Sequence, residues 1–345
     1  MTVFTTALRG VAAAALLAGS GGLALAQEVT LKMHQFLPAQ ANVPAHVLDV
    51  WADKVEADSG GRIKIDRFPS MQLGGKPPEL ADQVMDGIAD IVWTLPGYTP
   101  GRFPSTEIFE LPFISPSAEA TSRAYWQFAE KHLMETEFAD LHMLGLWVHG
   151  PGVIHSSEPV TVPEDLNGVK LRAPTRVTNM LFTQLGATSV GLPVPAVPEA
   201  LSKGVISATV IPWEVTPALK IAELVHNHTT FGGDALYTAT FIFAMNKDKY
   251  DALPDDLKTV IDENSGLEFS AFAGRQMQED DAPGLKAAQD AGNNIIALTP
   301  DQVAVWREAS DGIEAAWIEE MTAKGMDAAA MVEEAKALIA ENSSM

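Results

Sequence analysis

The sequence predicts an α/β protein built from two similar lobes. Strand and helix patterns alternate in both halves of the chain, and this alternation is typical of sheets flanked by helices. A helix–glycine–strand unit over Leu80–Asp90 is echoed over Val197–Ser207. Such a unit is common by itself, but its place in two successive α/β halves favours two related lobes. No low-complexity linker divides the chain, so we expect crossing segments to join the lobes.

The first half of the chain predicts a largely parallel sheet flanked by helices. Short apolar runs predict strands, and apolar residues at helical spacing predict helices. The loop Pro69–Gly75 precedes the second helix, which stops at Gly87. The predicted strands are Val29–Met33, Ile63–Phe68 and Ile88–Trp93, and the predicted helices are Ala45–Ala57 and Glu79–Met85.

The second half repeats this order and then becomes helical. Strands are predicted over Val169–Arg172, Thr188–Leu192, Val205–Ile211 and Thr238–Met245. The helices between the first three of these strands are predicted over Thr178–Leu185 and Pro198–Lys203. Long C-terminal helices are predicted within Asp255–Gln289, Asp301–Met321 and Ala328–Ala340.

The N-terminus has the pattern of an export signal. Met1–Gly10 carries one charge, and the apolar stretch Val11–Ala26 ends in Ala-Leu-Ala, which is typical of a cleavage site. A membrane anchor would need about 20 apolar residues, and small residues over Gly19–Gly22 interrupt the run. We therefore expect residues 1–26 to be a signal peptide and the mature chain to be exported. No later segment is long and apolar enough to predict direct membrane insertion.

Composition excludes several classes of function. The chain has no cysteine, so it has no disulfide framework, cysteine metal site, thiol nucleophile or lipid-modified cysteine. It has 45 acidic and 23 basic residues, a formal net charge of −22. Nucleic acid and anionic lipid surfaces are therefore not expected as partners. The acidity favours a role in solubility, with a patch that docks on a basic partner as the alternative.

The motifs of common enzymes are absent. The sequence contains no G-x-S-x-G, G-x-x-x-x-G-K or H-E-x-x-H pattern, and Gly150-Pro151-Gly152 lacks the third glycine of a dinucleotide site. Sequence alone does not address a Ser-His-Asp triad, whose members lie far apart along a chain. His226 and His228 could share one face of a strand, but no third ligand is near, so we favour a surface pair over a metal site. We expect no catalysis, no cofactor and no metal centre.

A buried cation is the most informative single feature. Arg172 ends an apolar strand pattern and is followed two residues later by Pro174. Because a guanidinium does not lose its charge, its burial requires a partner, either an internal carboxylate or a ligand. Aromatic residues occur at or just beyond predicted strand ends, where crevices open in α/β sheets: Trp93, Tyr98, Trp147, Trp213 and Tyr237.

Several motifs occur in a fixed order along the chain. They are Pro69–Gly74, Asp86–Asp90, Pro163–Arg172, Gly186–Thr188, Leu192–Pro198 and Glu199–Val205. In these segments the chain resembles the periplasmic solute-binding proteins of tripartite ATP-independent periplasmic (TRAP) transporters, of the DctP type. The resemblance covers nearly all of the mature chain.

The resemblance implies a two-lobed periplasmic-binding-protein fold that closes on an organic acid. Lobe I is then expected to span 27–149 plus about 238–275, and lobe II 150–237 plus about 276–345. The signature arginine of the family grips the substrate carboxylate, and that role is carried to Arg172. The resemblance also implies a periplasmic location and membrane permease subunits of a TRAP transporter as partners. We expect a monomer.

Other ligand positions of the family match less closely. His34 stands after the first strand, and Trp93 and Tyr98 stand at the end of the third. Some members have a second basic residue about twenty positions before the arginine, where this chain has Gly152. His149 or His155 could replace it as a neutral donor. This departure argues against a substrate that needs two arginines.

The segment after the Val205–Ile211 strand enters the cleft in related proteins. Trp213 is expected to cover the apolar body of the substrate, and Tyr237 to line the pocket. Glu214 could accept from a substrate hydroxyl or amine, help to hold a cation such as calcium or sodium, or pair with Arg172 or Arg176.

The predicted function is that of an extracytoplasmic receptor for a small carboxylate. A monocarboxylate with an aromatic or apolar body, or a 2-keto or 2-hydroxy acid, fits one arginine with aromatic support. Two alternatives stay open at this point: an exported enzyme that acts on organic acids, and a ligand-sensing subunit of a signalling system.

Overall fold

The strands of the protein form two separate sheets. The computed structural model describes residues 28–344, so the predicted signal peptide lies outside the described residues. In chain order the strands are β1 (Val29–His34), β2 (Ile63–Phe68), β3 (Ile91–Thr94), β4 (Leu141–Val148), β5 (Val153–Ser156), β6 (Lys170–Ala173), β7 (Thr188–Gly191), β8 (Ala208–Ile211), β9 (Asn227–Thr230), β10 (Thr240–Asn246) and β11 (Asn294–Ala297).

Each sheet is parallel except for one strand. The first sheet has the order β2-β1-β3-β10-β4, in which only β10 is antiparallel to its neighbours. The second has the order β11-β9-β5-β8-β6-β7, in which only β5 is antiparallel to its neighbours. The chain passes between the sheets after β4, after β9 and again before β11. This arrangement confirms the predicted two-lobed α/β fold with crossing segments, while the exact lobe boundaries stay a prediction.

Helices flank both sheets and close the chain. They are α1 (Asp49–Asp58), α2 (Leu80–Met85), α3 (Ala118–His132), α4 (Arg176–Gln184), α5 (Val197–Ser202), α6 (Thr216–Leu219), α7 (Ile221–Leu224), α8 (Lys247–Asp251), α9 (Asp255–Glu263), α10 (Leu267–Glu279), α11 (Asp281–Asp290), α12 (Pro300–Ala309), α13 (Ile313–Ala323) and α14 (Ala328–Ser343). In residues 28–344, no helix combines the length and apolar character needed to cross a membrane.

The repeated helix–glycine–strand unit has the same geometry in both halves. Gly87 and Gly204 adopt positive φ angles of 70° and 65°, which end α2 and α5. The next two backbone amides return to the preceding helix: Ile88 N and Ala89 N donate to Gln83 O at 2.9 and 3.2 Å. The second unit does the same, with Ala200 O as acceptor. The strands therefore start three residues later than predicted, because these amides complete helix caps.

The structure contains elements that the sequence patterns did not predict. Helix α3 begins at the cap of Ser117, whose side chain accepts from Ala120 N, and it packs against α10, α14 and β4. Strands β4, β5 and β11 were also missed. The region predicted as helical from Asp255 to Gln289 is divided into α9, α10 and α11. The loops that adjoin the correctly predicted strands nevertheless lie on either side of one cleft.

Candidate functional site

A cavity lies between the two sheets. Its empty space, which includes the solvent at its mouth, is about 380 Å³. Residues after β1 and β3 and on β10 form one wall, and residues around β6 and β8 form the other. Six of the predicted site residues line it: Trp93, Tyr98, His149, Arg172, Glu214 and Tyr237.

Arg172 is held by the backbone of the second sheet. It lies on β6 between β7 and β8, and only 1% of the residue is exposed. Its Nε donates to Leu192 O at 2.8 Å, and Nη1 donates to Val210 O at 3.1 Å. Its Nη2 is buried and has no hydrogen-bond partner among residues 28–344. Burial lowers the pKa of Arg172, but a guanidinium still keeps its proton at neutral pH.

No internal carboxylate in the described chain forms an ion pair with Arg172. The candidate partner Glu214 makes no contact of that kind with it or with Arg176. Arg176 instead binds Glu320 at 2.6 Å and Glu107, to which its Nε donates at 2.9 Å. The predicted pairing of Glu214 with either arginine is therefore wrong. Within the described chain the Arg172 guanidinium therefore has no anionic partner.

Two phenols lie beside the guanidinium. Tyr98 Oη accepts from Val194 N at 2.9 Å, and this bond joins the two walls of the cavity. Tyr237 Oη is buried and has no partner within the described residues. Burial raises the pKa of both phenols, and the charge of Arg172 opposes that rise. Both phenols are therefore neutral O–H groups that can donate to an anion bound at Arg172.

Gly152 is required by the position of Tyr237. A Cβ atom at Gly152 would lie 2.0 Å from Tyr237 Cε1, far closer than two carbon atoms can approach. The Gly152 amide also donates to Tyr237 O at 3.3 Å. The tyrosine ring thus occupies the space that a second basic side chain would need at this position. Arg172 is the only arginine or lysine among the described residues that line the cavity.

Stacked aromatic rings form the apolar wall. The ring of Trp93 lies 4.5 Å from that of Phe36, with an interplanar angle of 18°, and 5.3 Å from that of Phe241, at 22°. Tyr98 contacts Phe36 edge-on, with ring centroids 5.8 Å apart. Trp93 Nε1 is buried without a hydrogen-bond partner in the part of the chain the structure describes. Trp147 stacks behind Trp93 at 6.4 Å and does not reach the cavity.

Glu214 forms part of the second wall of the cavity. It is 4% exposed, its amide donates to Asp281 Oδ1 at 2.9 Å, and its carbonyl accepts from Asn42 Nδ2 at 2.9 Å. Its Oε2 atom is buried and lacks a partner among the described residues. Burial raises the pKa of Glu214 well above its ordinary value, and the neighbouring carboxyls of Asp281 and Asp280 add to that rise. Burial also raises the pKa of Asp281 to about 7.

His149 lines the cavity but offers no free nitrogen. Nδ1 lies 2.5 Å from Gly150 O, and Nε2 accepts from Ala239 N at 2.9 Å. These bonds define a neutral ring with its proton on Nδ1. Burial lowers its pKa to about 4. The expectation that His149 donates to the ligand is corrected, because both nitrogens are already used by the backbone.

Three predicted site residues lie away from the cavity. His34 contacts Gln83 Oε1 at 2.8 Å through Nδ1 and accepts from Leu73 N through Nε2, so it joins β1 to the following loop. His155 contacts His228 at 2.7 Å and Ile211 O at 3.2 Å. Trp213 packs against both of these imidazoles, with ring centroids 5.0 and 5.1 Å away. The expectations for these three residues are corrected: His34 supports the first sheet, and His155 and Trp213 support the second, and none of them lines the cavity.

The expected histidine surface pair is also incorrect for one member. His228 is fully buried against His155, whereas His226 is exposed. Burial lowers the pKa of both His155 and His228, the latter to about 4, so the pair is neutral. Within residues 28–344, no group of three or more histidine or carboxylate side chains could hold a metal ion.

The sequence reasoning missed part of the lining. Ala239 and Phe241 line the cavity together with the predicted Tyr237, and their spacing of two residues is the signal that identifies one face of an extended segment. Phe36 and Leu37 follow directly after β1, where parallel strands end at the cleft. Val194 and Val210 give no comparable signal.

A family model decides the classification. Residues 35–320 match the model for DctP, described as bacterial extracellular solute-binding protein, family 7. The chain belongs to this family.

Solved structures of DctP-family proteins from TRAP systems have the same fold. A TRAP solute-binding protein from Rhodoferax ferrireducens T118, in complex with copurified benzoate, is 47% identical and has a TM-score of 0.90, with 91% of this chain and 98% of that chain covered. A marine metagenome TRAP protein specific for aromatic acids, in complex with metahydroxyphenylacetate, is 48% identical with a TM-score of 0.89, covering 91% and 99%. A Bordetella bronchiseptica protein with bound mandelate is 28% identical with a TM-score of 0.83, covering 90% and 99%.

Proposed function

We propose that this DctP-family protein is a periplasmic receptor that binds aromatic monocarboxylates and delivers them to a TRAP membrane permease. The observation that carries the proposal is Arg172, which lines a cavity walled by stacked aromatic rings and whose buried Nη2 has no hydrogen-bond partner among the described residues. A carboxylate would satisfy that nitrogen and neutralise its charge, and the Tyr237 O–H supplies a second donor. The aromatic wall favours a flat ring as the body of the ligand.

The number of cations at the cavity limits the charge of the ligand. With Tyr237 against Gly152, the cavity offers one cation and therefore favours one carboxylate. A dicarboxylate would bring an unpaired charge into a buried space, which is unfavourable. The benzoate and hydroxyphenylacetate in the two solved structures at 47% and 48% identity are monocarboxylates of this kind. These relatives favour aromatic acids over small 2-keto or 2-hydroxy acids.

Contacts between the walls support closure around the ligand. Asn42 Nδ2 binds Glu214 O, and Tyr98 Oη binds Val194 N, each at 2.9 Å. Each bond joins residues of the first sheet's side to residues of the second. Ligand binding favours this closed arrangement only to the extent that the ligand binds it better than an open one. The permease would then recognise the closed form, and the receptor itself would carry out no chemistry.

A ligand screen by thermal denaturation tests the proposal. Benzoate, phenylacetate and mandelate are each added to the purified mature protein, with succinate and pyruvate as comparators. A ligand at 100 times its Kd stabilises a protein by about 2.7 kcal/mol, so we expect aromatic acids to raise Tm by several degrees. Stabilisation by succinate without stabilisation by any aromatic acid would overturn the proposal. Conversion of an aromatic acid above the protein-free control would favour the enzyme alternative.

A further inference from the structure

We propose that Glu214 determines specificity within the aromatic acids, by hydrogen bonding a hydroxyl group on the ring of the ligand. The preferred ligands are then hydroxylated aromatic acids instead of the unsubstituted acids. This inference rests on the proposed function and concerns the part of the cavity that Arg172 does not serve.

A bound carboxylate would not satisfy every unpartnered polar atom at the cavity lining. Four buried atoms at the lining lack partners in the described chain: Arg172 Nη2, Tyr237 Oη, Trp93 Nε1 and Glu214 Oε2. A carboxylate only accepts hydrogen bonds, so it suits the three donors but gives nothing to a carboxyl oxygen that acts as an acceptor. Buried polar groups in proteins are normally hydrogen-bonded. A ligand hydroxyl, which both donates and accepts, is the simplest group that satisfies Glu214 as well.

Two side chains hold the backbone of Glu214, and its own carboxyl forms no ion pair in the described part of the chain. Its amide binds Asp281 Oδ1, and its carbonyl binds the Asn42 side chain, so the direction of the residue is fixed on both sides. The side-chain Oε2 is left over from this set of contacts. At 4% exposure it cannot be satisfied by bulk water. Glu214 therefore has an unpartnered carboxyl oxygen and lines the cavity.

The charges around Glu214 are compatible with a bound anion nearby. Asp281 and Asp280 are the carboxyls close to it, and Asp280 is itself paired with His46 at 2.8 Å. The pKa of Glu214 is raised by its burial and by these two carboxyls, which favours the protonated form of the side chain. In that form the carboxyl does not repel the ligand carboxylate. It can accept from a phenolic hydroxyl through its carbonyl oxygen or donate to it through its O–H.

Paired ligands of matched size test this inference by titration calorimetry. The three hydroxybenzoates are compared with the three methylbenzoates, because a methyl group has similar size but cannot form hydrogen bonds. A site built for a hydroxyl discriminates against analogues that lack it, and we expect at least one hydroxybenzoate to bind about tenfold or more tighter than its methyl counterpart. Equal or weaker binding of all three hydroxybenzoates would overturn the inference.

Variants of Glu214 assign the preference to this residue. Glu214→Gln keeps a donor and an acceptor, and we expect it to retain the hydroxyl preference within about threefold. Glu214→Leu removes both, and we expect its affinity ratio to fall close to one. The exposed Glu199, which pairs with Lys203, provides the matched control Glu199→Leu, which should keep the full ratio. A Glu214→Leu protein that keeps the wild-type ratio would refute the assignment.

The outcomes separate this inference from the proposed function. If benzoate and the methylbenzoates bind but the hydroxybenzoates gain nothing, only the role of Glu214 fails. If none of the benzoates binds, the aromatic monocarboxylate assignment itself fails. The wild-type comparison decides between these results even if Glu214→Leu does not fold.

Discussion

Replacement of Arg172 should remove most of the ligand affinity while leaving a folded protein. Two of its nitrogens bind the carbonyls of Leu192 and Val210, and Nη2 is left for the ligand. Arg172→Met keeps an unbranched apolar stem and removes the guanidinium with its charge. Loss of a buried, hydrogen-bonded charge pair costs about 2–5 kcal/mol. At about 1.4 kcal/mol per tenfold, this is a loss of about 30-fold to several thousandfold in Kd.

Arg172→Lys refines the same prediction. Lysine keeps the positive charge but lacks the planar fork that reaches two carbonyls and a carboxylate at once. We expect its affinity to fall between those of the wild type and Arg172→Met. Titration calorimetry with benzoate gives Kd for all three proteins, and thermal denaturation without ligand checks that each is folded.

Replacement of a surface arginine controls for the loss of one positive charge away from the cavity. Arg275 is about half exposed and pairs with Glu119 at 3.0 Å, so Arg275→Met should leave Kd unchanged. Wild-type affinity in a folded Arg172→Met protein would refute the reasoning, because it would mean that the ligand carboxylate is bound by another group.

Three further changes have directions set by the structure. Gly152→Ala should displace the ring of Tyr237, because the new Cβ would lie 2.0 Å from that ring. We expect the free energy of unfolding to fall by about 1–3 kcal/mol and calorimetry to show a lower ligand affinity. Asp281→Asn should raise Tm at pH 8 but not at pH 4. The folded-state pKa of Asp281, about 7, exceeds the ordinary value of 3.8, so the wild-type protein loses stability as the pH rises from 3.8 to 7. Ligand-induced change in tryptophan fluorescence should survive Trp213→Phe and diminish in Trp93→Phe, because Trp93 lines the cavity and Trp213 is not among the described residues that line it.

Each of these predictions has a control or a contradicting result. Gly191→Ala should be mild, since its new Cβ meets nothing closer than 3.8 Å. Asp290→Asn on the exposed face of α11 should not reproduce the gain at pH 8. A larger gain at pH 4 than at pH 8 in Asp281→Asn would contradict the raised pKa. A fluorescence response lost in Trp213→Phe would place that ring at the ligand.

The sequence identified the cation of the site because its requirements are local. An arginine inside an apolar strand needs a partner wherever the strand lies. Gly152 was informative for a similar reason, because the loss of a basic residue limits the charge of a ligand. The structure adds the cause, which is the ring of Tyr237 pressed against the glycine. That contact joins residues 85 positions apart, so the local sequence pattern around either residue does not predict it.

The sequence could not decide which polar residues near strand ends are already satisfied. His34 binds Gln83 and Leu73, and His149 binds Gly150 and Ala239, so neither has a nitrogen for a ligand. Most of these partners come from distant segments that only the folded chain brings together. The same applies to the fold: the core helix α3 and strand β4 depend on tertiary packing.

The orientation of Trp213 shows a different limit. It begins a short 3₁₀ turn, Trp213–Val215, after β8. The turn is too short for a periodic pattern to define which face is buried. Its ring lies against His155 and His228, while its neighbour Glu214 reaches the cavity.

A crystal structure of the mature protein with bound benzoate tests the central claim most directly. The account predicts a carboxylate oxygen within hydrogen-bond distance of Arg172 Nη2, with the ring against Trp93. A carboxylate bound by other groups, with Arg172 in contact only with the carbonyls of Leu192 and Val210, would contradict it.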